Sequence, residues 1–73
     1  MTKKEMIYEI QKAEAQAWKD FQISKAVWGR DGDQTIRRLA EWRMLYNLRE
    51  ALGIHPMSTD QLITEDLLPP QSV

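Results

Sequence analysis

Three arginines and two tryptophans are the residues whose side chains and spacing suggest a chemistry. Arg30, Arg37 and Arg38 fall close together in sequence, and Trp28 and Trp42 flank them. A guanidinium presents a planar fork of N–H donors that matches a phosphate, while an indole stacks on a nucleobase or on the guanidinium itself. With the free N–H groups of a helix start close by, the five residues describe a pocket for an anionic nucleotide. A purely structural use of the same residues is an Arg37–Glu41 pair at i,i+4 and Arg38 stacked on Trp42.

Catalytic chemistry has much less to draw on. The chain has no cysteine and one histidine, His55, so thiolate nucleophiles, thiolate metal sites and His-rich zinc sites are excluded. Ser24 and Ser58 have no histidine–carboxylate arrangement around them. Asp31-Gly32-Asp33 begins like a calcium loop but lacks the remaining oxygen ligands and the closing glutamate. Glu14 is the one carboxylate that helical spacing places on an apolar stripe, between Ile10 and Phe21. A buried carboxylate can act as an acid or base, but its ordinary use is a pair with an arginine of the second helix or a basic residue of another chain. The expectation is a protein that is not an enzyme and needs no cofactor or metal.

Two helices must position these residues. Thr2 followed by Glu5 reads as a capping box, and Ala, Glu, Lys, Gln and Ile dominate up to Trp28, so the spacing predicts a helix over residues 3–28 closed by Gly29. Its apolar stripe comprises Met6, Ile7, Ile10, Ala13, Ala17, Trp18, Phe21 and Trp28. Gly29 to Asp33 is a turn, with Asp31 or Asp33 as the cap of the next helix. That helix runs over residues 34–52 and ends at Gly53, with Ile54 folding back on Leu48. Ser58 and Gln61 offer a weaker capping box for a short helix at 59–67, the alternative being an extended tail, and Pro69-Pro70 stops regular structure. The domain organisation is therefore a helical hairpin, 1–55, and a C-terminal tail, 56–73.

The fold class is all-α, an antiparallel hairpin, and the apolar residues exceed what its own seam can cover. Ile36, Leu39, Trp42 and Tyr46 lie to one side of the second helix, whereas Leu45, Leu48 and Leu52 lie about a third of a turn away. Ile23 and Val27 stand off the main stripe of the first helix, where the tail residues Leu62, Ile63, Leu67 and Leu68 offer one cover. A chain of 73 residues buries only about 60% of its unfolded surface and has no disulfide or metal to staple it. Both arguments point to a homo-oligomeric helical bundle with Ile36, Leu39, Leu45, Tyr46, Leu48 and Leu52 at the interface.

Charge narrows the partners. The net charge is −1, with all lysines between Lys3 and Lys25, all arginines between Arg30 and Arg49, and a tail carrying only Asp60, Glu65 and Asp66. No basic stripe tracks a nucleic-acid backbone, and no apolar run is long enough to cross a membrane. Glu5, Glu9, Lys12 and Glu14 interrupt any leader-like apolar segment after Lys3 and Lys4, which makes the cytoplasm the expected location.

The stretch from Ala17 to Ile54 contains A-W-K-D-F, V-W-G-R-D-G-D and R-R-L-A-E-W-R-M-L-Y-N-L-R-E-A-L-G-I. It resembles the small helical-hairpin proteins of bacteriophages and other bacterial mobile elements. The resemblance implies no catalytic residues. It implies an accessory, anti-defence setting in which a small oligomer binds a host component or sequesters a nucleotide-like immune signal. Three activities are therefore expected in turn: sequestration of an anionic nucleotide through Trp28, Arg30, Arg37, Arg38 and Trp42; inhibition or adaptation of a host protein; and a regulatory contact with RNA or DNA.

Overall fold

The computed structural model describes residues 1–69. It contains α1 (Lys3–Trp28), α2 (Asp33–Ala51) and the short α3 (Thr59–Thr64). The helices α1 and α2 pack antiparallel along their length, so the hairpin has a loop end at Trp28–Asp33 and an open end where α1 starts and α2 stops.

Local chemistry sets each boundary. The Thr2 hydroxyl oxygen accepts the Glu5 N–H at 3.1 Å, and the same hydroxyl donates to the Glu5 carboxylate at 3.0 Å. Gly29 ends α1 at φ 82°, a backbone region that a Cβ disfavours, with its N–H on the Lys25 carbonyl. The expected aspartate cap of α2 is not formed: Gly32 occupies the cap position with no side-chain bond, and Asp33 is already helical. Thr35 takes over the tethering, since its hydroxyl donates to the Gly29 carbonyl at 2.7 Å from a fully buried position. The loop is tight enough to require glycine at 32. A Cβ there would lie 2.8 Å from the Trp28 Cβ and 2.9 Å from the Trp28 carbonyl oxygen.

The C-terminus of α2 is a Schellman motif. Gly53, at φ 68°, donates to the Glu50 carbonyl, and Ile54 donates to the Arg49 carbonyl, both at 3.1 Å. The chain then crosses the open end through Pro56 and Met57 to α3, whose Ser58 cap accepts the Gln61 N–H. The helix expected over 59–67 stops at Thr64, because Asp66 turns left-handed at φ 56° and Leu67 donates back to the Leu62 carbonyl at 2.8 Å. This second Schellman motif swings Leu67 inward instead of continuing the helix.

That inward turn decides where the tail goes. Met57 and Leu67 bury against Ala15, with Tyr8 and Leu62 packed around them. Three polar clasps fix the strap. Tyr8 Oη donates to the Glu65 carboxylate at 2.6 Å, Gln11 Nε2 to the His55 carbonyl at 2.8 Å, and Lys19 Nζ to the Asp66 carbonyl at 2.7 Å. The tail thus covers the first half of α1, not Ile23 and Val27, which remain exposed. The reason is geometric: a strap that starts from the open end reaches Tyr8, Ala15 and Lys19 before the chain ends its regular course.

Candidate functional site

Between the middle of α1 and the last turn of α2 an ion pair joins the two helices. Arg49 Nε donates to the Glu14 carboxylate, with the two side chains only 5% and 12% exposed. Arg49 also donates to the Ile54 carbonyl at 2.7 Å and to Glu50 at 3.4 Å, and its guanidinium lies 5.3 Å from the Tyr46 ring centroid. The hydrogen bond to Glu14 raises the Arg49 pKa above its ordinary value, against the opposing effect of burial. Each of the three guanidinium nitrogens has a partner inside the chain. The structure gives the structural pair within the chain, where the sequence had left open an arginine of the second helix, a basic residue of another chain, or an acid–base use.

The expected nucleotide residues divide into two groups. Trp42 stacks with Trp18, centroids 4.7 Å apart, and with Tyr46 at 5.2 Å, while Trp18 also touches Phe21 at 5.4 Å. The indole of Trp42 is therefore part of an aromatic row that ties α1 to α2, and its recorded ring contacts are with these aromatics. Arg38 pairs with Glu41 at 3.2 Å on the surface, the i,i+3 partner in place of the expected Arg37–Glu41 pair. Trp28, Arg30 and Arg37 all stand exposed at the loop end, with Trp28 63% accessible. Among the described residues neither Arg30 nor Arg37 forms an ion pair.

The expected interface residues also separate. Leu39 and Leu45 are half-buried within the hairpin, whereas Ile36, Tyr46, Leu48 and Leu52 are exposed. Steps of three and four residues place Met6, Ile10, Ala17, Phe21 and Trp28 along one side of α1, and Leu45, Leu48 and Leu52 along one side of α2. Around α1, this row lies roughly half a turn from the tail-bearing residues Tyr8, Ala15 and Lys19, at about 100° per residue. In an antiparallel pair the two rows come to the same side of the hairpin. Met6 and Leu52 line one cavity at the open end, as that arrangement requires. The hairpin therefore has one face strapped by the tail and an opposite side on which, among the described residues, Met6, Trp28, Leu48 and Leu52 stand exposed, while Ile10, Phe21 and Leu45 are half-buried and Ala17 is buried.

Two cavities border these faces. A small one of about 110 Å³ lies under the strap, lined by Ala15, Trp18, Met57, Leu62 and Leu67 among others. The larger, about 400 Å³, is the notch at the open end where α2 stops short of the start of α1; its walls are Met6, Ile7, Leu52 and Ile54, with Lys3 and His55 also lining it. Neither is lined by the arginines of the loop end.

Among the described residues no group of three or more His, Asp or Glu side chains is placed to hold a metal ion, and no helix is long and apolar enough to cross a membrane. The sequence reading missed Met57 and the three clasps of the strap; the alternation of Met57, Leu62 and Leu67 at five-residue steps carried no helical or strand signature by which to find them. No family model matches the chain, and no curated protein or solved structure does so either.

Proposed function

We propose that this chain is a non-enzymatic binding protein that works as a homo-oligomer, closing the apolar face opposite the strap against further copies of itself. The observation that supports it is the imbalance of the core. The hydrophobic side chains buried in the single chain are Ala15, Ala17, Met57 and Leu67, whereas Met6, Trp28, Ile36, Leu48 and Leu52 are all exposed large apolar residues. Met6, Trp28, Leu48 and Leu52 belong to the side opposite the strap and Ile36 to another side of α2, so large apolar residues are exposed on more than one side of the hairpin. The row spans about 33 Å along α1, from Met6 to Trp28, and about 11 Å along α2, from Leu45 to Leu52, at about 1.5 Å per residue.

Light scattering over a concentration series tests the reading. A mass at a multiple of 8.6 kDa that falls to the monomer on Leu48→Glu supports it, and a monomer throughout with cooperative melting removes it.

A second reading has the exposed group at the loop end behind it. Trp28, Arg30 and Arg37 present one indole and two guanidinium groups that form no ion pair among the described residues, a combination that suits an anionic nucleotide. The two readings place different demands on Trp28, which must stay open to stack on a base. Calorimetry with mono-, di- and cyclic nucleotides separates them: the second predicts binding that is lost in an Arg30→Ala, Arg37→Ala double variant that remains folded.

A further inference from the structure

We infer that the partner on the apolar face is a second copy turned end for end, with Trp28 of each chain lodged in the open-end notch of the other. The inference rests on the self-association proposed above and names its anchor.

A two-fold interface must be self-complementary, so whatever protrudes at one position has to meet a recess at the position to which the axis carries it. This face has one of each, at opposite ends. At the loop end, Trp28 stands 63% exposed beside a close turn, in which a Cβ on Gly32 would lie 2.8 Å from the Trp28 Cβ. At the open end lies the notch of about 400 Å³ walled by Met6, Ile7, Leu52 and Ile54. An apolar cavity of about 150 Å³ already accepts benzene, so an indole fits this one. A two-fold axis that lies in the plane between the two faces, perpendicular to α1 and level with its midpoint, exchanges the ends and makes both contacts at once. Buried tryptophan in a pocket is also the usual form of an interface anchor.

Charge bears on the choice of arrangement. Lys3 lines the notch, and the turn that follows Trp28 carries Asp31 and Asp33 against the single Arg30, a local charge of −1. Lodging Trp28 brings this turn to the Lys3 of the other chain. A parallel arrangement would set Lys3 against Lys3 and turn against turn, which like charges disfavour.

Two measurements test the pairing. Zero-length carbodiimide coupling joins a carboxylate to an amine in direct contact. Within one chain Lys3 and Asp31 or Asp33 sit at opposite ends of a hairpin whose long helix spans about 39 Å, so a Lys3–Asp31 or Lys3–Asp33 peptide can come only from two chains. Such a link in the cross-linked dimer is expected. Its absence, with other Lys–carboxylate links present between chains, overturns the end-for-end pairing.

Sedimentation of two single variants supplies the second test. Trp28→Ala removes the knob and keeps the notch, whereas Leu52→Glu spoils the notch and keeps the knob. Each alone is expected to weaken association at least tenfold with helicity retained. Mixed together they restore one of the two reciprocal contacts, so the mixture associates more tightly than either variant alone. If Leu48→Glu dissociates the oligomer but Trp28→Ala does not, self-association stands and this anchor is wrong. If the unmodified chain is monomeric, both fall.

Discussion

The Glu14 carboxylate accepts the Nε–H of Arg49 across the hairpin, and the same guanidinium reaches the Ile54 carbonyl just past the end of α2. One buried side chain thus links the middle of α1, the last turn of α2 and the start of the strap. Arg49 is at once an interhelical ion-pair partner and a donor to the loop that closes α2. Its pKa is raised, so the charged form is favoured by folding; that contribution is complete below the ordinary arginine value and is lost only as pH climbs through the raised one. The pair therefore persists across the whole neutral range.

Removing one partner is expected to be worse than removing both. Glu14→Leu leaves a nearly inaccessible guanidinium without its counter-charge, a loss of about 3 kcal/mol or more on the scale of broken buried pairs. Glu14→Gln keeps a carbonyl acceptor and costs about 1–2 kcal/mol. The Glu14→Leu, Arg49→Met double variant replaces the pair with apolar contacts and is expected to be more stable than Glu14→Leu alone. Urea denaturation followed by circular dichroism orders the three, and a double variant weaker than Glu14→Leu contradicts this account.

The strap has its own titratable clasp. The Glu65 carboxylate accepts the phenol proton of Tyr8 at 2.6 Å, and this hydrogen bond is the main cause of a Tyr8 pKa above the ordinary value near 10. Because the folded state favours the neutral phenol, the clasp is complete below pH about 10 and is lost as pH rises through the raised value. In a Tyr46→Phe background, phenolate absorbance should report Tyr8 titrating above a free tyrosine, and Glu65→Gln should bring it back down. The same substitution should speed amide exchange at Leu62 and Leu67, which the clasp holds against α1.

Trp28 and Gly32 make the loop end a test of close packing. A Cβ on Gly32 would meet both the side chain and the backbone of Trp28 under 3.0 Å, and a backbone carbonyl cannot swing aside as the end of a flexible side chain can. Gly32→Ala is therefore expected to cost about 1–3 kcal/mol, the range for overpacking. It should also move the Trp28 indole. A loss of self-association disproportionate to the loss of stability would follow if that indole is the interface anchor.

What the sequence revealed followed from periodicity and caps. The hairpin was legible because Thr2, Gly29 and Gly53 punctuate two long amphipathic runs, and each does so in the structure. The uneven cover of the helices was legible too, from Leu45, Leu48 and Leu52 lying away from the seam. The strap was not: Met57, Leu62 and Leu67 sit on a turn, a short helix and a left-handed reversal, so they share a face without sharing a period. Trp42 was open between two uses for a related reason. An indole four residues from an arginine offers a stack with it, and only the approach of Trp18 from the other helix shows the aromatic ring that it meets across the hairpin.

The reversal at Asp66 gives the last prediction. Its φ of 56° is the only positive value at a non-glycine position among the described residues, and an L side chain in that region costs about 1–2 kcal/mol, less for aspartate than for most residues. The conformation persists because the neighbouring backbone requires it: Asp66 and Leu67 donate to the Ile63 and Leu62 carbonyls, and Lys19 donates to the Asp66 carbonyl. None of these bonds uses the Asp66 carboxylate. Asp66→Gly should keep all three and relieve the strain, offset in part by glycine's greater freedom in the unfolded chain. A net gain of about 0.5 kcal/mol is expected, read as a higher Tm and slower exchange at Leu67. Gly53→Ala, which places a Cβ at φ 68° in open space, is the matched reverse case and should lose about 1 kcal/mol through backbone strain alone. If Asp66→Gly destabilises the chain while Gly53→Ala behaves as expected, the Asp66 side chain has a role that the backbone geometry does not contain.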